Sequence, residues 1–210
     1  MKKSGTYKIV VIANLAALST LLYFFIKFPL PFIFPAFLDI QFSNLPAILG
    51  GFMFGPVAGS AVVFVRFAIK VISGASVTAA VGELGDLLIG LATVITSSLI
   101  YRKFHSKKGA IYASIAGMFA WIIMAMIANY FILVPFYIEF YLGGEVDSFV
   151  SMLSVIPGVN ESNYMTRYLL YTVIPFNILL SGIVYLLTFL VYKRLKHLID
   201  DIYEKVTDQK

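Results

Sequence analysis

Polar side chains interrupt the apolar stretches of this sequence at a few positions, and these are the residues whose chemistry could matter. They are Arg66, Lys70, Glu83, Asp86, Asn129 and Asn177, with Tyr130 beside one of the asparagines. Ionisable and amide groups are costly inside a membrane and usually face a cavity there. Their chemistry is ion pairing and hydrogen bonding, so this set predicts a binding site for a small polar molecule.

Catalysis is not indicated by any pattern in the sequence. There is no glycine-rich phosphate loop followed by Lys and Ser or Thr, and no His-Glu-x-x-His pair. The chain has no cysteine, which excludes disulfides and thiolate metal sites. We therefore expect a protein that is not an enzyme and that holds no metal and no cofactor.

The elements that must position these residues are membrane helices. Of the 210 residues, 60% are hydrophobic and 13% are charged, whereas a soluble domain is charged at about a quarter of its residues. We predict an all-α integral membrane protein, a single domain over 1–210 with six transmembrane helices. The predicted helices cover about 7–26, 45–54, 57–72, 82–101, 110–134 and 168–192. Pro135 is expected to end the fifth helix, and a proline- and phenylalanine-rich connection follows the first.

The charges predict the orientation of this bundle. Lysines and arginines cluster at 2–8, 102–108 and 193–196, each time beside an apolar run. Such clusters mark cytoplasmic helix ends, so both termini are expected in the cytoplasm, and a nucleic-acid role is not expected. At about 1.5 Å per residue, all of the polar helix positions then fall in the outer half of the bilayer. Polar groups from four helices at a similar depth predict a site that opens to the outside.

Structural explanations for the same residues remain open. Arg66 with Asp86, or Lys70 with Glu83, could form ion pairs between the third and fourth helices. Asn129 and Asn177 could each bond only to backbone groups, and Lys70 could extend to the membrane surface. Tyr130 could belong to an aromatic belt and Trp121 to the core. On the first helix, Ala13 and Ala17 form a small-xxx-small pattern, which allows close helix packing either within the chain or against another membrane subunit.

Several local motifs together resemble the substrate-binding (S) components of energy-coupling factor (ECF) vitamin transporters, most closely the riboflavin-binding branch. The motifs are Phe28-Pro29-Leu30-Pro31, Phe42-Ser43-Asn44-Leu45-Pro46-Ala47, Phe54-Gly55-Pro56-Val57-Ala58-Gly59, Val81-Gly82-Glu83-Leu84, Asn129-Tyr130 with Pro135, and Pro175-Phe176-Asn177. The resemblance implies six membrane helices, an outward-facing vitamin pocket, and three partners: a transmembrane coupling subunit and two ATPases. It also implies that Ala13 and Ala17 dock the coupling subunit.

The substrate is predicted from the charged residues. Where the riboflavin-binding branch often has a lysine on the sixth helix this chain has Leu180, and where it has an asparagine on the fourth this chain has Asp86. Arg66 and Lys70 instead suggest an anionic ligand, because arginine pairs well with a carboxylate. We therefore predict pantothenate, with riboflavin as the alternative; an intramembrane enzyme and a structural membrane protein are the other classes considered.

Overall fold

The computed structural model describes residues 3–74, 76 and 78–207, and it is almost entirely helical. Lys2 and the side chains of Lys3 and Lys196, which belong to the basic clusters, lie outside the described part. The helices are α1 (Lys3–Phe25), α2 (Asn44–Phe54), α3 (Pro56–Ile72), α4 (Val81–Lys103), α5 (Lys107–Ala128), α6 (Val134–Tyr141), α7 (Val146–Met152), α8 (Tyr164–Tyr168) and α9 (Ile174–Thr207). Two short antiparallel strands, β1 (Lys27–Pro29) and β2 (Asp39–Gln41), join α1 to α2.

Two helical segments continue through a proline, Pro135 in one and Pro175 in the other. α5 runs into α6 through a π-helical turn at Asn129–Leu133, and α8 runs into α9 through one at Leu169–Val173. In each turn, the backbone N–H of the residue just before the proline donates a hydrogen bond to the carbonyl five residues earlier. The pairs are Val134 with Asn129 and Ile174 with Leu169. Because the proline ring would clash with the carbonyl four residues earlier in an ordinary helix, the wider turn accommodates it. The prediction that Pro135 ends the fifth helix is therefore wrong.

Membrane-spanning segments can be identified from length and hydropathy. Four helical segments of the described residues qualify, namely Gly5–Phe25, Val81–Lys103, Lys107–Tyr141 and Tyr164–Arg194. The apolar helix Asn44–Phe54 is too short to qualify, and α3, with its 17 residues, carries Arg66 and Lys70. α2 and α3 form a pair that packs against α1 and α4.

Glycines make the close packing of this pair possible. Gly55 joins α2 to α3 with φ of +91°, a conformation that side chains other than glycine rarely adopt, and Pro56 begins α3. At Gly59, a side chain would collide with Val94 and with the carbonyl of Ala47. α2, α3 and α4 therefore approach each other closely enough for their polar side chains to meet.

The three basic clusters lie at the same end of the bundle. The Lys8 amino group is 5.9 Å from the ring of Phe54, the last residue of α2. Arg102 covers the adjoining turn at Gly55. The hydroxyls of Tyr101 and Tyr192 are 3.0 Å apart, which joins the basic end of α4 to that of α9. The basic side chains at this end of α4, α5 and α9 are exposed, namely Arg102, Lys103, Lys107, Lys108, Lys193 and Arg194.

Candidate functional site

A cavity of about 280 Å³ opens at the opposite end of the bundle, enclosed by the β1–β2 segment and by α1, α3, α4, α5 and α9 with their π turns. This volume is close to the lower end of the usual range for small-molecule sites, roughly 300–1,000 Å³. Five of the residues predicted for the site line it: Lys70, Glu83, Asp86, Asn129 and Asn177. Its aromatic lining consists of Tyr23, Phe37, Trp121, Tyr137, Tyr168 and Phe176.

Asp86 is the centre of a charged cluster in one wall. Its Oδ2 lies 3.0 Å from Arg66 Nη2 and 3.3 Å from Lys70 Nζ. Its Oδ1 accepts a hydrogen bond of 3.3 Å from Gln41. Two cations thus share one carboxylate, and the interhelical pair considered from sequence, Arg66 with Asp86, is present.

Arg66 stands behind this wall and does not line the cavity. Its side chain is 0% exposed, and it donates 3.2 Å to Ser19 Oγ of α1 and 3.0 Å to Asn44 Oδ1 of α2. The guanidinium therefore connects α1, α2 and α4 to its own helix. The expectation that Arg66 meets the ligand directly is not supported by this geometry, because Asp86 lies between the arginine and the cavity.

Lys70 faces the cavity but is also paired within the protein. Its amino group lies 3.4 Å from the centre of the Tyr23 ring, in a cation–π contact, in addition to its contact with Asp86. The side chain is 2% exposed. Lys70 is thus held at the cavity wall and does not extend to the membrane surface.

Glu83 is the second acid of the site, and hydroxyl groups hold it. Its Oε2 accepts hydrogen bonds of 2.8 Å from Ser76 and 2.9 Å from Thr78. Lys70 is not a partner of Glu83 among the described residues. The pair of Lys70 with Glu83, considered as an alternative from the sequence, is therefore not formed. Charged groups in and directly behind the cavity are Lys27, Arg66, Lys70, Asp39, Glu83 and Asp86. Three cations minus three carboxylates leave a formal charge of zero.

The two asparagines are arranged alike on the facing helices. Asn129 donates from Nδ2 to the Ala125 carbonyl (2.8 Å) and accepts 3.1 Å from the Tyr168 hydroxyl. Asn177 donates from Nδ2 to a backbone carbonyl at 2.7 Å and accepts 2.9 Å from Trp121 Nε1. A primary amide has two N–H groups, and one of each is used here. Among the described residues, one N–H of each asparagine therefore has no hydrogen-bond partner, and an aromatic residue of the opposite helix fixes the orientation of the side chain.

Tyr130, like Arg66, was predicted for the site and does not line the cavity. It is 47% exposed and packs edge-on against Phe131. Consecutive helical residues point about 100° apart, so Tyr130 faces outward when Asn129 faces the cavity. The prediction of Tyr130 as a cavity residue is wrong.

Aromatic residues that sequence reasoning undervalued form much of the site. Trp121 was read as core, yet it is both buried and part of the cavity wall. A signal existed: Trp121, Asn129, Leu133 and Tyr137 follow a spacing of four or eight residues. In an ideal helix the direction of side chains at this spacing drifts by about 40° for every four residues, which hides the common face. The π turn underwinds the helix at this point and keeps the face together.

Ala13 and Ala17 lie on the outer surface of α1. Both are exposed, whereas Ala16 between them is 2% exposed and packs inward. Among the described residues, the small-xxx-small pattern therefore remains on the surface of the bundle.

Comparison with known proteins gives concordant matches. The model of the family described as ECF transporter, substrate-specific component, matches residues 7–192. A Staphylococcus aureus (strain TCH60) protein named riboflavin transporter RibU is 30% identical over 195 residues, which is 93% of each chain. A Bacillus subtilis (strain 168) protein named riboflavin transporter FmnP is 27% identical over 168 residues, 80% of this chain and 87% of that one. A solved structure, described as the S component of a bacterial ECF transporter, superposes with a TM-score of 0.65 at 29% identity, covering 93% of this chain and 98% of the other.

Proposed function

Because this chain belongs to the family of ECF transporter substrate-specific components, we propose that its cavity captures riboflavin. The resemblance found in the sequence motifs is confirmed. The protein is a multi-pass component of the cell membrane that serves vitamin uptake, and it is not an enzyme. Riboflavin was the alternative to pantothenate in the sequence prediction, and the names of the relatives favour it.

The observation that carries this choice is the charge balance of the cavity. Asp86 neutralises the arginine that suggested an anionic ligand, and the group as a whole sums to zero. Adding the carboxylate of pantothenate would bring the formal charge of this group to −1, and an uncompensated charge is costly to bury. Riboflavin is neutral near pH 7, so it enters such a cavity without this cost.

The rest of the lining also suits a flavin. A flat heterocycle can stack on the aromatic walls, and the free N–H groups of Asn129 and Asn177 can donate to its ring carbonyls. The ribityl hydroxyls can both donate and accept, which matches Glu83 and Lys70. We assign Glu83, Lys70 and the two asparagines to ligand binding, with Asp86 at the wall.

Thermal unfolding of the purified, ligand-free protein tests this proposal. Added riboflavin is expected to raise the unfolding temperature, since a ligand that binds only the folded state stabilises it. Pantothenate at the same concentration is expected to cause no shift. Stabilisation by pantothenate with none by riboflavin would overturn the assignment.

We further propose that the basic end of the bundle faces the cytoplasm, with six crossings and both termini inside. The common position of the three basic clusters supports this orientation. Because the chain lacks cysteine, single cysteines can be placed at Lys107, at the basic end of the bundle, and at Asp147 on α7, at the opposite end. Labelling of intact cells with an impermeant maleimide should modify Asp147→Cys alone, and the reverse result would invert the topology.

The coupling module supplies the last part of the proposal. We propose that Ala13 and Ala17 on the exposed face of α1 contact a transmembrane coupling subunit, which works with two ATPases. Their exposure supports the docking alternative, because exposed small residues allow a second helix to approach closely.

A further inference from the structure

The segment between β1 and β2 contains no polar side chain. Residues 28–38 read FPLPFIFPAFL, and this run is bracketed by Lys27 and Asp39, whose charged groups are 3.4 Å apart. Phe32 is 96% exposed and Ile33 is 65% exposed. A loop of this composition would expose a large apolar surface to water if it stood clear of the membrane.

The exposed tip is part of a fixed turn. The backbone N–H groups of Ile33 and Phe34 both donate to the Leu30 carbonyl, at 3.0 and 2.9 Å. The next side chain, Phe34, is buried and packs edge-on against Phe176 of α9, with ring centres 5.2 Å apart. The tip therefore keeps a defined position relative to α9.

The depth of this position can be calculated from two helices. Phe176 precedes the basic residue Lys193 by 17 residues along α9, a rise of about 26 Å. Phe25, at the end of α1, follows Lys8 by the same number of residues, again about 26 Å. A tilt of about 20° shortens this to about 24 Å. The hydrocarbon layer is about 30 Å thick, so the loop lies just inside its far boundary.

The tip points away from the cavity. Phe37 and Leu38 of the same segment line the cavity, whereas Phe32 and Ile33 do not. Ile178, which follows Phe176 by two residues on α9, is 49% exposed on the side that a bilayer must cover. Exposed apolar side chains of the spanning helix and of the loop thus lie at a similar depth.

We infer that the β1–β2 segment is a membrane anchor, with Phe32 and Ile33 inserted among the lipid chains of the leaflet on the cavity side. The occupant of this apolar surface is lipid. The segment then joins two environments, since Phe37 and Leu38 face the ligand cavity while the tip is held in the bilayer. Contact of Phe32 and Ile33 with lipid also explains how the folded protein tolerates a loop with no polar side chain.

Spin labelling of the full chain in lipid nanodiscs tests this inference. The absence of native cysteine allows a nitroxide to be attached at Phe32→Cys and, separately, at Ile33→Cys. Reference positions are Leu186→Cys, 60% exposed on the membrane-spanning part of α9, and Asp147→Cys, exposed on the short helix α7. Collisions of each label with oxygen, which concentrates in lipid, and with a water-soluble nickel chelate are measured on ligand-free protein.

The loop labels are expected to collide with the nickel chelate several-fold less often than Asp147→Cys, and to approach Leu186→Cys in oxygen accessibility. Nickel accessibility at both loop positions equal to that at Asp147→Cys would overturn the inference. Spin–spin broadening that disappears on dilution with unlabelled protein would assign the surface to a second copy and would also overturn it. Because no vitamin is present, the result does not depend on the proposed ligand.

Discussion

Removing the Asp86 carboxylate is expected to destabilise the protein more than removing either of its cations. Asp86→Asn leaves Arg66 and Lys70 buried without their shared carboxylate, and breaking a buried pair costs about 3–5 kcal/mol. Arg66→Gln leaves Lys70 as a partner for the acid but removes the bonds to Ser19 and Asn44, which we expect to cost about 2–3 kcal/mol. Lys70→Gln loses one ion contact and one cation–π contact, about 1–2 kcal/mol.

Equilibrium unfolding of purified protein in one detergent, with and without riboflavin, measures this order. The Arg66→Gln/Asp86→Asn double variant removes both charges, so its loss should be smaller than the sum of the single losses by about 0.5–3 kcal/mol. Asp147→Asn removes an exposed acid and serves as the control, with an expected change within about 0.5 kcal/mol.

The expected order of stabilities requires that Asp86 neutralises the charge of Arg66 in the ligand-free protein. It would be refuted if Arg66→Gln left the ligand-free protein as stable as the unaltered chain while abolishing its stabilisation by ligand. That outcome would mean that the guanidinium contributes to ligand binding and does not hold the empty protein together.

Three further outcomes are expected. Replacing Ala13 and Ala17 by Trp should abolish vitamin uptake by cells that carry the coupling module, while binding by the isolated protein persists; loss of both would indicate a packing role. Asn177→Leu should weaken riboflavin binding by about 1–3 kcal/mol, because ligand groups and the Trp121 N–H lose their partner, and an unchanged calorimetric affinity would remove this residue from the site. Tyr130→Leu should leave the affinity unchanged, and a tenfold loss would show that the lipid-facing assignment is mistaken.

The sequence predicts the polar residues of the cavity because each polar side chain within an apolar helix is costly in a membrane and therefore unusual on its own. Lys70, Glu83, Asp86, Asn129 and Asn177 were all recognised in this way, and all line the cavity. The same reasoning could not assign partners. Arg66 and Lys70 are one helical turn apart, and which of them reaches the cavity depends on how α3 is rotated against α4, which no pattern within α3 determines.

Features that depend on a change of helical geometry were missed. The π turns before Pro135 and Pro175 alter the number of residues per turn, so a fixed helical period assigns the wrong face beyond them. The lining by Tyr137 and Phe176 follows from those turns. Tyr130 failed for a simpler reason, because adjacency in sequence to Asn129 was taken as adjacency in the site.

Arg66 also explains why a cavity that we propose for a neutral ligand contains so many charged groups. Its guanidinium bonds to Ser19 on α1, Asn44 on α2 and Asp86 on α4. In lipid, apolar side chains give helices no preference for one neighbour over another, so directional polar contacts must fix their arrangement. One buried arginine thereby holds four helices in register at the depth of the cavity. Its positive charge requires a carboxylate, and Asp86 provides it from the cavity wall. The charge that suggested an anionic vitamin in the sequence is, in this arrangement, the part that keeps the binding site assembled before any vitamin enters.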